Sequence, residues 1–162
     1  MTTIAYDGKT LASDSQSTQG NIRVSNSAMK IFARGEGDDW SIEGKRIAAF
    51  GVAGNLHDAK DLRQRMSSFV GHHSGDHFEN GSTFAFIAIA EDHTVFVGGK
   101  YSDEPRSWVM EAEAPVAVGS GGDFALGAMA AGAKAEDAVR IASKFDVNTN
   151  DSVSSIDCWG NT

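Results

Sequence analysis

Met1 is followed by Thr2, a residue small enough for the initiator methionine to be trimmed, which would leave a free α-amine beside a threonine hydroxyl. A threonine alcohol is inert near neutral pH. An α-amine, titrating near pH ~7.7–8.0, is well placed to take its proton directly or through one water, so a single residue would supply nucleophile and base. Many soluble proteins begin Met-Thr, and the pair means little until other residues surround it. A second segment with chemical potential is His72-His73-Ser74-Gly75-Asp76-His77, whose imidazoles and carboxylate could bind a transition metal. Nothing elsewhere supplies a partner ligand at matching spacing, so the segment reads as a solvated polar loop and no metal is expected.

The elements that must position Thr2 follow from the pattern around it. Thr3-Ile4-Ala5-Tyr6, Asp7-Gly8 and Thr10-Leu11-Ala12-Ser13 read as two strands joined by a tight turn, so the chain begins inside a sheet. The polar, glycine-rich run 35–39 reads as an exposed hairpin tip before the apolar strand 47–52. Asn55 can cap a helix that places Leu62, Met66 and Phe69 at spacings of four and three. A polar loop over 71–82 leads to a second hairpin, 83–89 and 94–98, around Glu91-Asp92-His93. Val116-Ala117-Val118 then runs through Gly119-Ser120-Gly121-Gly122 into an Ala-rich helix, and another helix starts near Glu136-Asp137 and ends about Phe145, with acidic residues at its positive end. Strands and helices in separate runs favour antiparallel sheets with helices stacked on them over a doubly wound parallel sheet.

Composition narrows the classes. The 162 residues, 41% of them hydrophobic, suit one domain spanning 1–162 with a buried core. Fourteen Lys plus Arg against 22 Asp plus Glu give a net charge of −8, which repels nucleic acid and anionic lipid, and no local basic patch offsets it. The longest apolar run, near Phe84 to Ala90, is too short to span a bilayer, and the N-terminus has no basic segment leading an apolar one. Cys158 is the single cysteine, which excludes an internal disulfide and leaves the cytoplasm as the expected location.

Thr2-Thr3-Ile4, Ala12-Ser13-Asp14-Ser15-Gln16-Ser17-Thr18, Met29-Lys30, Gly51-Val52-Ala53-Gly54 and Val118-Gly119-Ser120-Gly121-Gly122 occur in this order, followed by Asp146-Val147-Asn148-Thr149. The set resembles the proteasome β-subunit and HslV family of Ntn-hydrolases, in which an N-terminal threonine is followed by an Asp and, sixteen residues on, a Lys; Asp14 and Lys30 match that separation. The resemblance implies an α+β fold, a four-layer αββα sandwich of two antiparallel sheets, and a threonine peptidase whose nucleophile is Thr2. Lys30 would lower the cost of negative charge on the threonine oxygen, and Asp14 would hold the lysine in place and charged. Gly54 takes the oxyanion position, where a backbone donor contributes roughly 3–4 kcal/mol. Ser120, Asp146 and Thr149 would orient the α-amine. Ser17, Ala28, Phe32 and Gly51 would line the pocket for the side chain before the cleaved bond, with room for an apolar group. Backbone carbonyls near Asp146 to Thr149 could hold a monovalent cation; no other cofactor is implied.

The sequence departs from the family in three places. No second long helix follows the first, since the chain passes from Phe69 through a polar loop to the Thr83 strand; this reduces one helical layer and any docking surface for an unfoldase ATPase. The connection from Phe32 to Ile47 is long, and Asn150 stands where a glycine is usual. Three activities remain open: a homo-oligomeric ring that cuts unfolded polypeptides, with or without an ATPase partner; a silent subunit that binds a protein; and an Ntn amidase acting on a small amide.

Overall fold

The computed structural model describes residues 2–79 and 81–160, so the trimming expected at Met1 lies outside the described residues. In chain order the elements are β1 (Ile4–Tyr6), β2 (Thr10–Ser13), β3 (Ser17–Gln19), β4 (Ile22–Ser25), β5 (Ile31–Ala33), β6 (Ser41–Ile42), β7 (Lys45–Ala53), α1 (Leu56–Met66), β8 (Phe84–Ala90), β9 (Val95–Lys100), β10 (Trp108–Ala112), β11 (Val116–Val118), α2 (Gly122–Ala130), α3 (Ala135–Ser143) and β12 (Ser154–Asp157). One sheet runs β11, β1, β2, β12; the other runs β10, β9, β8, β7, β5, with β6 on β7; β3 and β4 form a separate hairpin. The strand pairs are antiparallel.

Strand alternation builds the layers. Ile4, Tyr6 and Leu11 point from the four-stranded sheet toward Ile31, Ala49, Ala53, Ile87 and Ile89, forming the core between the sheets. Ala5 and Ala12 point the other way and meet Ala125, Met129, Ala138, Val139 and Ala142 of α2 and α3, where the small side chains let the helices sit close. On the far face of the six-stranded sheet, Phe50, Val52, Phe84 and Phe86 pack under Leu62 and Met66 of α1. The result is the expected four-layer αββα sandwich of two antiparallel sheets, with two helices on one side and α1 alone on the other. Among the described residues the second helix is absent, and loop segments over 67–79 and 81–83 take its place.

Several local expectations come out differently. Asn55 caps α1 as expected, its side chain accepting from Asp58 N at 3.0 Å while Asp58 accepts from Asn55 N at 2.9 Å. The helix nevertheless stops at Met66; the Ser67 and Ser68 hydroxyls donate to the Arg63 and Arg65 carbonyls at 2.8 and 2.7 Å, and Phe69 lies beyond it, fully exposed. The histidine loop is not solvated throughout. His72 is buried against Phe78 and Phe86, tied by its backbone to Ser41 and Glu43, while His73 and His77 lie further out.

Candidate active site

Strand pairing and the turns beyond the strands bring Asp14, Lys30, Ser120, Asp146 and Thr149 together around Thr2. β1 pairs with β11 so that Ile4 faces Val118, which brings Thr2 against the turn that carries Ser120. Asp14 N donates to Thr3 O just past β2, and Lys30 precedes β5, its carbonyl accepting from Val52 N at 3.0 Å. The turn needs glycine at 119: φ is +99°, and a Cβ would lie 2.1 Å from the Thr2 carbonyl oxygen.

Two hydrogen-bonded groups meet at Thr2. On one side, Lys30 Nζ donates to Thr2 Oγ1 and Thr2 Oγ1 donates to Asp14 Oδ1, while Lys30 and Asp14 pair directly at 2.8 Å. Asp14 is fully buried and further held by N–H groups of Thr3, Gln16 and Asn150 at 3.1, 3.2 and 3.3 Å. Asn150 thus contributes a main-chain donor, and its side chain accepts from Ser15 N at 2.9 Å. Burial pulls Lys30 below its ordinary lysine value, opposed by the Asp14 carboxylate.

On the other side, Thr2 N donates to Ser120 Oγ at 3.1 Å, and Ser120 Oγ donates to Asp146 Oδ2 at 2.6 Å. Thr149 Oγ1 also donates to that oxygen at 2.6 Å, and Asn148 N donates to Oδ1 at 3.1 Å. Burial works against the Asp146 charge, but the bonds from Ser120, Thr149 and Asn148 outweigh it and hold the carboxyl below the usual carboxylate range. The Asp146 and Val147 carbonyls accept from Thr149 N and Gln16 Nε2 at 3.1 Å each.

A cleft of about 480 Å³ opens beside Lys30 and Gly54. Ser17 and Ala28 line it. Phe32 and Gly51 do not. Period two along β7 turns Gly51 into the space between the sheets, where a Cβ would lie 2.8 Å from both Ile4 and Ile31. Phe32 sits across from Phe50 on β7, stacked at 5.1 Å, with the Arg63 guanidinium 4.5 Å above its ring. The wall is formed instead by Val52, Met29, Leu56, Ser82 and Thr83. Alternation on β7 could have given Val52; the other four arrive from loops and the α1 entry that only the folded chain brings together.

This arrangement of two antiparallel sheets between helical layers is the fold of the proteasome β-subunit type. HslV from Trypanosoma brucei is similar, with a TM-score of 0.61 and 22% identity over 96% of this chain and 97% of that one. The Anbu complex from Pseudomonas aeruginosa, described as a helical assembly, gives 0.56 and 10% identity over 96% and 79%; Anbu, the ancestral β-subunit from Yersinia bercovieri, gives 0.59 and 9% over 96% and 80%. No protein-family model and no curated protein matches the chain. The shared property is the fold.

Proposed function

We propose that the chain is a threonine-type endopeptidase in which Thr2, freed by removal of Met1, is the nucleophile. The supporting observation is the Thr2 hydroxyl held between an ammonium and a buried carboxylate, with its own nitrogen on Ser120. In this reading the α-amine takes the Oγ1 proton as oxygen attacks the scissile carbonyl, Lys30 stabilises charge on Oγ1, and the Gly54 N–H receives the oxyanion. Collapse expels the amine half of the peptide, which leaves with the proton, and a threonyl ester remains. Water, deprotonated by the same amine, then cleaves the ester and restores Thr2. Asp14 keeps Lys30 charged; Ser120, Asp146 and Thr149 orient the amine. Ser17 and Ala28, with Val52, receive the side chain before the cleaved bond.

The same reading makes 1–162 one Ntn-hydrolase domain that assembles as a homo-oligomeric cytoplasmic ring and cuts unfolded polypeptide, with an ATPase unfoldase as a further partner. Similarity to an Anbu complex described as a helical assembly supports an oligomer. Among the described residues no helix is long and apolar enough to cross a membrane.

The test is the intact mass of the purified protein before and after a peptide epoxyketone, a reagent that needs both the hydroxyl and the free amine of an N-terminal threonine. Loss of Met1 with one adduct, abolished in Thr2→Ala, is the expected result. A retained Met1, or a trimmed chain that takes no adduct, overturns the nucleophile and leaves a silent binding subunit.

A further inference from the structure

We propose that Thr3 is a positioning residue of this site: donating to Thr149, it strengthens the Thr149 bond to Asp146 and so tunes the carboxylate that holds Ser120 as an acceptor for the Thr2 nitrogen. The inference rests on the reading of Thr2 as nucleophile.

Thr3 is fully buried, and its Oγ1 lies 2.7 Å from Thr149 Oγ1, which is also buried. In that pair alone either oxygen could donate. Asp146 settles the direction. Its Oδ2 is an acceptor at 2.6 Å from both Thr149 Oγ1 and Ser120 Oγ, and a hydroxyl carries one proton. The Thr149 proton is committed to Asp146, so Thr3 donates to Thr149. The Ser120 proton is committed likewise, since the competing Thr2 carbonyl stands further off at 3.4 Å. Ser120 therefore offers the Thr2 nitrogen a lone pair at 3.1 Å. An amine held this way by one N–H keeps its own lone pair free to turn toward Oγ1 of the same residue.

The contact between Thr3 and Thr149 is built into the turn. A Cβ on Gly121 would lie 2.1 Å from Thr3 Oγ1, 3.0 Å from Thr149 Oγ1 and 3.1 Å from Asp146 Oδ2, so the hydroxyl pair occupies the space that glycine leaves. Without the Thr3 hydroxyl, Thr149 loses its donor and becomes a weaker donor itself, because bonds in a chain polarise one another. Asp146 then keeps more negative charge and holds the Thr2 amine protonated to higher pH. The charged groups around that amine are Asp146 through Ser120, and Lys30 and Asp14 across the Thr2 hydroxyl; only the first is altered.

The experiment follows epoxyketone adduct formation by intact mass across pH in wild type, Thr3→Val, Thr3→Ser and Gly121→Ala, with thermal melts as a check on folding. Thr3→Val is expected to move the acidic limb of the profile up by about half a unit and so to slow labelling about threefold at neutral pH, the scale of one lost buried hydrogen bond. Thr3→Ser restores both, and Gly121→Ala, which displaces the Thr3 hydroxyl, reproduces the defect. A folded Thr3→Val with the wild-type rate and limb overturns the inference, as does Thr3→Ser labelling as slowly as Thr3→Val. Should Thr3→Val not fold, an unshifted Gly121→Ala overturns it. A labelled wild type beside an unshifted Thr3→Val removes this inference alone, whereas a wild type that takes no adduct removes the nucleophile with it.

Discussion

Asp14→Asn isolates the electrostatic basis of the site. The carboxylate is fully buried and its Oδ1 pairs with Lys30 Nζ at 2.8 Å, while the lysine side chain is itself only 10% exposed. Asparagine keeps the size and one acceptor oxygen but removes the charge, leaving the ammonium in a low-dielectric pocket without its partner. Breaking a buried pair from one side costs about 3–5 kcal/mol, and Lys30 can limit that loss by giving up its proton, which burial already favours. Stability is therefore expected to fall by about 3 kcal/mol, toward the lower end of that range, and the epoxyketone labelling rate by roughly a hundredfold, the scale of one lost charge-stabilising group. Removing both charges in Asp14→Asn with Lys30→Met leaves no orphaned ion, so the double variant is expected to recover about 1–2 kcal/mol over Asp14→Asn without recovering labelling. Urea denaturation gives the stability difference and mass spectrometry the rate. If Asp14→Asn stays within 1 kcal/mol of wild type (a margin of roughly the size of a surface pair) and labels normally, the ion pair has been misread.

Two further outcomes follow from the structure. His72 is fully buried, and burial pushes its imidazole down to about 4, against an ordinary value near 6.5, with Asp76 opposing the shift; the unfolded chain takes up a proton that the folded chain refuses. Stability should thus fall as pH drops from about 6.5 and level off below about 4, by about 3 kcal/mol in all, and denaturation of His72→Phe at both ends of that window should lack this step. Gly51→Ala, which sets a methyl 2.8 Å from Ile4 and Ile31, is expected to cost about 1–3 kcal/mol and leave peptide preference unchanged. Val52→Ala should instead enlarge the cleft and shift preference toward bulkier side chains in a panel of fluorogenic peptides; a preference change in Gly51→Ala and none in Val52→Ala would return Gly51 to the pocket.

The antiparallel sheets with stacked helices were legible in the order of the runs and the four layers in the resemblance, while the structure shows the period that burial writes into the strands. Ile4 and Tyr6 against Ala5, and Leu11 against Ala12, alternate large and small, so one face fills the space between sheets while the other admits close helices. The α1 start was legible because capping is local, Asn55 and Asp58 being three residues apart. The short or polar strands left little trace: Ser154–Asp157 and Ser17–Gln19 bury little and are fixed by the strands they pair with. The candidate residues themselves came from their order and from the resemblance it carries, not from local physics.

Sequence alone determined which groups are available: the threonine after Met1, a carboxylate and a lysine at a telling separation, and glycines that permit sharp turns. Only the tertiary structure decided what each group meets. Gly51 and Val52 are neighbours, yet strand alternation turns one into the space between the sheets and the other into the core under α1, at the border of the cleft. Thr3 and Thr149 are 146 positions apart, and their hydroxyls come together because β1 pairs beside β11 while the turn after α3 closes over them. Hydrogen bonds and charge pairs act over a few ångströms, a range that sequence distance does not encode and that the packed sheets supply.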